Sequence, residues 1–249
     1  MGISTSRPAE SLRSMSVSIS GRRLALLIAA VSVVLVAGGI AASRSSAFHA
    51  RRVDVSGANH LRRGELIEVA GISKATNVVW LDEAEAERRL ESEPWIASAE
   101  VRVAFPLTIE IAVTERSPVA VTRGDVPSLM AADGTALGAG KVPRGLPVIE
   151  LGVLRPVEGF RSSPVGAARA LGAMTPSLRA EVARVRVLLD GTLELRLRSG
   201  PTVRFGTPDD ARRKARTIER MLAWARAKGT VIRTLTVVSP SAPAAALAG

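Results

Sequence analysis

The 249-residue sequence contains no cysteine, no tyrosine and only two histidines, His49 and His60. The absence of cysteine excludes disulfides, thiolate nucleophiles and cysteine-ligated metals. The two histidines are not spaced as a metal-binding pair, and the sequence has no HExxH motif. We therefore expect no catalytic, cofactor-binding or metal-binding residues, and we expect both histidines at the surface.

Aromatic residues are also scarce, at 3% of the chain, although the formal net charge is +11. A strongly basic chain attracts phosphate, acidic lipid or anionic wall polymer. Proteins that bind nucleic acid commonly combine clustered basic residues with aromatic stacking platforms, whereas here the basic residues are scattered and the aromatics few. Nucleic acid is therefore not an expected partner.

Two patterns resemble active sites but have simpler explanations. Residues 138–141 read Gly-Ala-Gly-Lys, similar to the end of a phosphate-binding loop, but Thr135 and Val142 replace the glycine and hydroxyl that the motif requires. Glu110 and Glu115 could serve as an acid and base pair, yet they lie in an alternating strand pattern that is typical of a solvated sheet face. Neither pattern predicts an enzyme.

One long hydrophobic segment, residues 24–42, runs from Leu24 to Ala42 without a charged side chain. As a helix it would span about 28 Å, close to the roughly 30 Å hydrocarbon core of a bilayer. We expect a single transmembrane helix. A cleaved signal peptide is the alternative, but the apolar region of a signal peptide is usually only roughly 7–15 residues long.

Basic residues flank this segment on both sides, so the positive-inside rule does not fix its direction. We expect residues 1–23 to form a disordered cytoplasmic tail, because long domains translocate largely regardless of charge. The rest of the chain would then lie outside the plasma membrane.

The region that follows a short linker, residues 43–50, has the pattern of a small α+β domain. Strand, helix, helix, strand and strand are predicted in this order over residues 53–55, 61–70, 83–92, 99–103 and 107–113. Asp82 is placed to cap the second helix, and Pro94 follows its end. This order predicts a two-layer domain over residues 51–116, with both helices on one face of the sheet.

Residues 117–238 read as short strands broken by turn dipeptides, which predicts a mainly antiparallel β-domain with two or three helices. The clearest hairpin has Asp190-Gly191 as a two-residue loop, which is typical of a type I′ turn. The apolar residues expected to face one another across it are Val185, Val187 and Leu189 with Leu193, Leu195 and Leu197.

The end of this region contains one long helix and one strand. Thr207 is expected to cap the helix, and Gly229 is expected to end it. A last strand is predicted over residues 230–238, and the composition of residues 239–249 predicts a disordered tail.

Three stretches of the sequence together resemble the FtsQ/DivIB family of bacterial cell-division proteins. The first, residues 53–72, is similar to the start of the family's POTRA domain and matches it at Gly57, Asn59, Leu61, Ile67 and Gly71. The second, residues 94–120, is similar to the close of that domain at Pro94, Trp95, Ala99, Val101, Pro106, Leu107, Glu115, Arg116, Pro118 and Ala120. Pieces of residues 132–206, together with Lys214, are similar to the family's β-domain.

The resemblance implies an α+β protein with one transmembrane helix, a POTRA domain and a β-domain. It implies a scaffold without catalytic activity or cofactor, held in the plasma membrane at the division septum. Such a scaffold would recruit single-pass division proteins of the FtsB/DivIC and FtsL type for septal cell-wall synthesis. No small-molecule substrate is implied.

The resemblance also suggests where partners dock. A sheet edge with unpaired backbone groups can accept a partner's strand, and a disordered tail would leave the last strand as such an edge. The expected partner-binding residues are Arg233, Leu235, Val237 and Val238. The strand over residues 98–103 is a second candidate edge. The sequence departs from the family at Thr236, where relatives commonly carry an acid, and in its lack of tyrosine.

Two alternatives remain open at this point. POTRA domains also occur in chaperones and secretion components, which bind client polypeptides by strand addition. A cell-wall hydrolase or transferase is the enzyme alternative. Within the resemblance, Trp95 is expected to fill the core between helix and sheet rather than to contact a partner.

Overall fold

The computed structural model of the chain describes residues 21–123, 126–152 and 163–247. Residues 1–20, which hold most of the predicted cytoplasmic tail, lie outside the described residues.

An apolar helix, α1 (Gly21–Ser43), opens the described chain. It contains the predicted segment from Leu24 to Ala42, and within the described residues it is the one helix long and apolar enough to cross a membrane, over Leu24–Ser43. None of the other described residues covers it, since its apolar side chains are exposed. A short 3-10 turn, Ser46–Phe48, then leads into the first strand.

A three-stranded sheet with two helices follows, which confirms the predicted β-α-α-β-β order. Its elements are β1 (Arg52–Ser56), α2 (Arg63–Val69), α3 (Glu83–Glu91), β2 (Ile96–Ala104) and β3 (Thr108–Glu115). β3 lies in the centre, parallel to β1 and antiparallel to β2. We call this unit the small sheet.

Local chemistry explains why the small sheet folds in this way. The Asp82 side chain accepts a hydrogen bond from the Glu85 N–H, which confirms the predicted helix cap. Leu66 and Leu90 of the two helices are fully buried together with Ile109 and Ile111 of the central strand. Gly57 has a φ of +82°, and a Cβ at this position would lie 1.9 Å from the Val113 carbonyl oxygen, so only glycine fits.

The second half of the chain forms a nine-stranded mixed sheet, the large sheet. Its strands are β4 (Pro118–Thr122), β5 (Ser128–Ala131), β6 (Ala136–Gly138), β7 (Val148–Leu151), β8 (Val182–Val187), β9 (Leu193–Leu197), β10 (Thr202–Gly206), β11 (Ile232–Thr236) and β12 (Ala244–Leu247). Their order in space is β12-β11-β10-β9-β8-β7-β4-β5-β6. Most neighbours are antiparallel, while the pairs β4-β7, β7-β8 and β10-β11 are parallel.

Three helices cover one face of the large sheet: α4 (Pro164–Gly172), α5 (Pro176–Glu181) and α6 (Ala211–Lys228). Leu171 and Ile218 of these helices pack in one core with Phe205, Leu195 and Leu235 of the sheet. The opposite face carries ion pairs that join Glu150 to two arginines. At its β4-β5-β6 end this face is instead apolar, with a second buried cluster that includes Val121, Leu129 and Leu137. Burial on one face explains why apolar and charged residues alternate along these strands.

The predicted hairpin forms, but its turn differs from the prediction. Val185 pairs with Leu195 and Val187 with Leu193, as expected. A type I′ turn needs positive φ at both central residues, and Gly191 has φ +79° while Asp190 is not among the positive-φ residues. The Leu188 N–H donates to the Thr192 carbonyl, so the loop consists of the three residues 189–191 and not of the predicted two. Leu189 therefore lies in the loop, where it is half exposed.

The start of α6 also differs from the prediction. Thr207 does not cap the helix: α6 begins at Ala211, after Asp210, which has a left-handed backbone. The Thr207 carbonyl instead accepts a hydrogen bond, at 2.9 Å, from the buried Lys214 ammonium. Burial lowers the pKa of Lys214, although the nearby Asp209 and Asp210 oppose this shift. The prediction that α6 ends at Gly229 is confirmed, since Gly229 has the left-handed backbone typical of a residue after a helix end.

Candidate partner-docking site

The predicted docking strand, β11, is not at the edge of the large sheet. β12 pairs with it in antiparallel fashion, with Thr234 opposite Ala246 and Thr236 opposite Ala244. The prediction of a disordered tail over residues 239–249 is therefore wrong for Ala244–Leu247, and so is the prediction of an unpaired edge. Antiparallel pairing needs only backbone N–H and C=O groups, which even an alanine-rich segment supplies.

The four expected partner-binding residues do not share one surface. Leu235 and Val237 have no exposed area and pack in the core of the large sheet. Arg233 is exposed, and Val238 is 58% exposed. Only Arg233 and Val238 could therefore present side chains to a partner.

The backbone of β11 shows which of its groups could face a partner. The Val237 N–H donates to the Arg204 carbonyl of β10 at 2.9 Å, so the backbone N–H of Val237 points toward β10 and away from β12. Backbone groups of successive strand residues point to opposite sides. The N–H and C=O groups of Thr234 and Thr236 therefore point outward, to the side that β12 occupies.

β12 is attached to the large sheet mainly through its backbone. It consists of three alanines and Leu247, which is 49% exposed, and Ala245 is the residue of this strand that packs against the core. Burial of a single methyl group stabilises by only about 0.8 kcal/mol. Side-chain burial therefore contributes little to the pairing of β12 with the edge of β11.

A groove of about 580 Å³ lies beside the segment that leads to β12. Its walls are the first half of α6 and the turn at Pro240 and Ser241, and the Thr217 hydroxyl donates to the Pro240 carbonyl at 3.4 Å. The basic residues that line it are Arg213, Arg216 and Arg220, and one acid, Glu219, is also present. The groove therefore suits an acidic or hydroxyl-rich segment better than an apolar one.

The second candidate edge, over residues 98–103, is closed by carboxylates. The outward N–H groups of Ala99, Val101 and Val103 in β2 donate to Glu91, Glu87 and Glu83 of α3, at 3.2, 2.9 and 2.8 Å. The three glutamates are spaced four residues apart, so they form one row along the helix. The strand is at the edge of the small sheet, as predicted, but these three outward N–H groups are already bonded and cannot pair with a partner's strand.

Trp95 lies where the two sheets meet, and not between a helix and the sheet of its own unit as predicted. It packs against Leu129, Ala131 and neighbouring apolar residues of the large sheet. The His60 ring stacks on it, with the ring centroids 3.7 Å apart. His60 thus belongs to the junction between the two sheets.

Arg116 fixes the same junction. Its guanidinium donates to the Pro94 carbonyl at 3.0 Å, to the Ile96 carbonyl, and to the Asp133 carboxylate at 2.7 Å. Burial by itself would raise the pKa of Asp133, but hydrogen bonds from the Thr135 N–H and Arg116 lower it to about 2. The pair is therefore ionised at neutral pH and joins the two units.

The Glu115 carboxylate holds the turn before α2 in place. It accepts hydrogen bonds from the backbone N–H groups of His60 and Leu61, at 2.8 and 3.0 Å. Burial would raise the pKa of Glu115, but these backbone hydrogen bonds outweigh it, and the pKa is lowered. Within residues 21–123, 126–152 and 163–247, no group of three His, Asp or Glu residues could hold a metal ion.

The small sheet matches a known domain type. The family model described as "POTRA domain, FtsQ-type" matches residues 48–116. A cell division protein FtsQ of Streptomyces collinus is 31% identical over 215 residues, which cover 81% of each chain. This chain belongs to the FtsQ family. Its transmembrane helix, POTRA domain and large sheet form the α+β architecture that the sequence predicts.

Other relatives of this FtsQ-family chain carry the same printed name, cell division protein FtsQ. That of Mycolicibacterium smegmatis is 28% identical over 227 residues, 91% of this chain and 66% of the relative. That of Syntrophotalea carbinolica is 37% identical over 90 residues, 36% of this chain. The chain thus spans about two thirds of the length of the mycobacterial relative. Membership in the FtsQ family supports a role in cell division for this single-pass membrane protein.

Proposed function

We propose that this chain is a non-enzymatic scaffold of the bacterial divisome, which recruits other single-pass division proteins of the FtsB/DivIC and FtsL type. It would stand in the plasma membrane at the septum, with residues 1–23 in the cytoplasm and both sheets outside. The observation that carries the proposal is the outer edge of β11, which is covered only by the small strand β12.

Docking would proceed by exchange of one strand for another. The partner's strand would replace β12 and bond to the outward N–H and C=O groups of Thr234 and Thr236. Backbone bonds give such an interface its affinity, while side chains set its specificity. Arg233 and Val238 are the exposed side chains next to this edge.

The basic groove beside β12 supports an acidic partner segment. Arg213, Arg216 and Arg220 of α6 outnumber Glu219 there, so acids flanking the partner's strand would gain ion pairs. Exposed pairs contribute little individually, typically about 0–1 kcal/mol. The groove would therefore serve specificity and the rate of association more than affinity.

The membrane helix would contribute to recruitment as well. When both proteins are anchored in one membrane, each searches in two dimensions, which raises the effective concentration of the partner. A modest affinity of the extracytoplasmic part is then sufficient.

A proline at Thr236 tests the docking edge. Thr236→Pro removes one outward N–H from β11, and Thr236→Val keeps that N–H while removing the hydroxyl. Because β12 would lose the same hydrogen bond, both variants and their parent are made in a chain that ends after Pro243 and lacks β12. In that chain we expect Thr236→Pro to weaken binding about tenfold or more, since a lost hydrogen bond of about 1.4 kcal/mol is worth a factor of ten. We expect Thr236→Val to bind within about twofold of the parent chain.

The measurement is a titration of these shortened chains, each with its membrane helix in nanodiscs, with the extracytoplasmic segments of FtsB/DivIC-type and FtsL-type proteins. Thermal unfolding shows whether each variant is folded. Equal affinity of the folded Thr236→Pro variant and the parent chain would overturn the proposal. Diffuse envelope fluorescence of a tagged chain, without enrichment at division sites, would contradict the septal role.

A further inference from the structure

Three exposed aromatic residues, among those that the structure describes, lie at one end of the small sheet, whereas a fourth, Trp224, lies on α6 of the large sheet. The chain has four phenylalanines and three tryptophans. Phe48 is 36% exposed, Trp80 54% and Phe105 98%, whereas Phe205 is fully buried. Large apolar rings exposed together mark an interaction surface.

Trp80 is bonded directly to the end of the membrane helix. Its indole N–H donates to the Ser43 hydroxyl at 3.1 Å, and the Asn77 amide donates to the Ser43 carbonyl at 2.7 Å. The Arg44 guanidinium lies 5.4 Å from the centre of the Trp80 ring. The loop that carries Trp80 is therefore held against the last residue of α1.

The length of α1 sets the depth of this contact. The apolar span Leu24–Ser43 has 20 residues, which as a helix extend about 30 Å, the thickness of the hydrocarbon core. Ser43 then lies at the boundary between the hydrocarbon and the headgroups. Because Trp80 bonds to Ser43, its ring lies at the same depth.

Phe48 and Phe105 lie at the same end of the small sheet. The Val78 N–H donates to the Phe48 carbonyl at 3.0 Å, which joins the Phe48 turn to the loop before Trp80. The Arg51 N–H donates to the Leu107 carbonyl at 2.8 Å, which places the Phe105 hairpin tip beside the chain as it leaves the membrane. Val79, the residue before Trp80, is 52% exposed and adds apolar area to this surface.

The segment that joins α1 to β1 and the loop before Trp80 carry only basic charges, while the acids Asp82 and Glu83 follow Trp80, and Glu83 accepts a hydrogen bond from the Val103 N–H near Phe105. Residues 43–53 contain Arg44, Arg51 and Arg52 and no acid, and residues 71–80 contain one lysine and no acid. The three arginines are exposed. An apolar aromatic patch with a basic rim matches the interfacial layer of a bilayer, where tryptophan is enriched and cations contact lipid phosphates.

We propose that Trp80, Phe105 and Phe48 insert into the interfacial layer of the bilayer that α1 crosses, and that Arg44 and Arg51 bind lipid phosphates there. The POTRA domain would then lie on the membrane in a fixed orientation, and not swing freely on a linker. This inference goes beyond partner recruitment and does not depend on it.

Quenching of tryptophan fluorescence by brominated lipid tests the proposal. The full chain is placed in nanodiscs of phosphatidylcholine and phosphatidylglycerol, with bromine on the acyl carbons nearest the headgroups. Trp80→Phe removes the proposed membrane tryptophan, and Trp224→Phe is the matched control, since Trp224 is 46% exposed on α6 of the large sheet.

We expect brominated lipid to remove the same absolute fluorescence intensity from the parent chain, with three tryptophans, and from Trp224→Phe, with two. We expect Trp80→Phe to lose most of this quenching. Absence of quenching in the parent chain, or full quenching in Trp80→Phe, would overturn the proposal.

A second measurement addresses Phe105. The chain has no cysteine, so Phe105→Cys or Leu189→Cys gives a single site for a spin label. We expect the label at position 105 to be accessible to dissolved oxygen and shielded from a polar nickel reagent, as in a membrane. The label at Leu189, half exposed on a hairpin of the large sheet, should show the opposite. Equal polar accessibility at both sites would also overturn the proposal.

Discussion

Arg116 has three separate acceptors, all at the junction of the two sheets. Its planar guanidinium bonds to the Pro94 and Ile96 carbonyls and to Asp133. The Asp133 carbonyl also accepts a hydrogen bond from Arg169 of α4 at 2.9 Å. A planar guanidinium group, which has several N–H donors in one plane, can bond to all of these acceptors at once, whereas a lysine ammonium cannot. The position should therefore not tolerate lysine.

We expect Arg116→Ala to destabilise the protein by about 2 kcal/mol, because the Arg116 side chain is mostly buried and its hydrogen bonds are charge-assisted. In a chain of this size, such a loss lowers the unfolding temperature by roughly 4–8 °C. Arg116→Lys keeps the charge but not the fork, so it should recover less than half of the loss. Thermal unfolding in detergent micelles measures all three proteins, and full recovery by lysine would contradict this account.

Single residues differ in how far the sequence predicts them. Asp82 and Gly229 act as predicted, because a cap depends on local backbone geometry that neighbouring residues determine. Thr207 fails as a cap because α6 begins four residues later, at Ala211. Its carbonyl instead accepts from Lys214, which is buried over the Phe205 ring. Trp95 stacks on His60, 35 positions earlier, which no local pattern reveals.

At the scale of elements, α3 acts as a cover for the edge of β2. Its glutamates accept the outward N–H groups of that strand, so another chain cannot pair there. Natural sheets commonly protect their edges with charged side chains, which prevents aggregation. Glu87 is the middle residue of this row, and it bonds to Val101, whose side chain is buried.

Removal of this acceptor should open the edge locally. Glu87→Ala leaves the Val101 N–H without its acceptor, and we expect hydrogen exchange of the peptide that covers Val101 to become about tenfold faster, which corresponds to about 1.4 kcal/mol. Glu87→Gln keeps a carbonyl oxygen in place and should exchange at nearly the parent rate. If alanine and glutamine behave alike in hydrogen-exchange mass spectrometry, the carboxylate row does not protect the edge.

β12 shows why the docking edge could not be predicted from the sequence. Residues 239–249 are rich in alanine, proline and serine, a composition without strand propensity. Its pairing with β11 depends on open backbone groups of a distant strand, not on its own side chains. By contrast, the apolar residues Ile232 and Leu235 predict β11 itself as a strand, and the structure confirms it.

At the scale of the whole molecule, the order of elements was predictable because each has a clear periodicity. The membrane helix, the β-α-α-β-β unit and the α+β class are confirmed. The predicted domain boundaries, 51–116 and 117–238, stay predictions. The strand order of the large sheet was not predicted, because parallel pairs such as β10 with β11 join segments that are distant in sequence.

With both proposals, the molecule would be held between a membrane and a partner. Trp80 and α1 set the POTRA domain against the bilayer, and the Arg116 junction carries that placement to the large sheet. The docking edge at β11 lies at one end of this sheet, four strands from β7. Its covering strand, β12, and a partner strand would compete for the same backbone groups.

This competition gives the most direct test of the central claim. A chain that stops after Pro243 lacks β12 but keeps β11 and the groove, and its affinity for the FtsB/DivIC-type segment is compared with that of the full chain in nanodiscs. Because a covered site binds in proportion to the fraction that is open, we predict several-fold tighter binding without β12. Unchanged or weaker binding by the shortened chain, folded to the same unfolding temperature, would contradict the claim that the partner takes the place of β12.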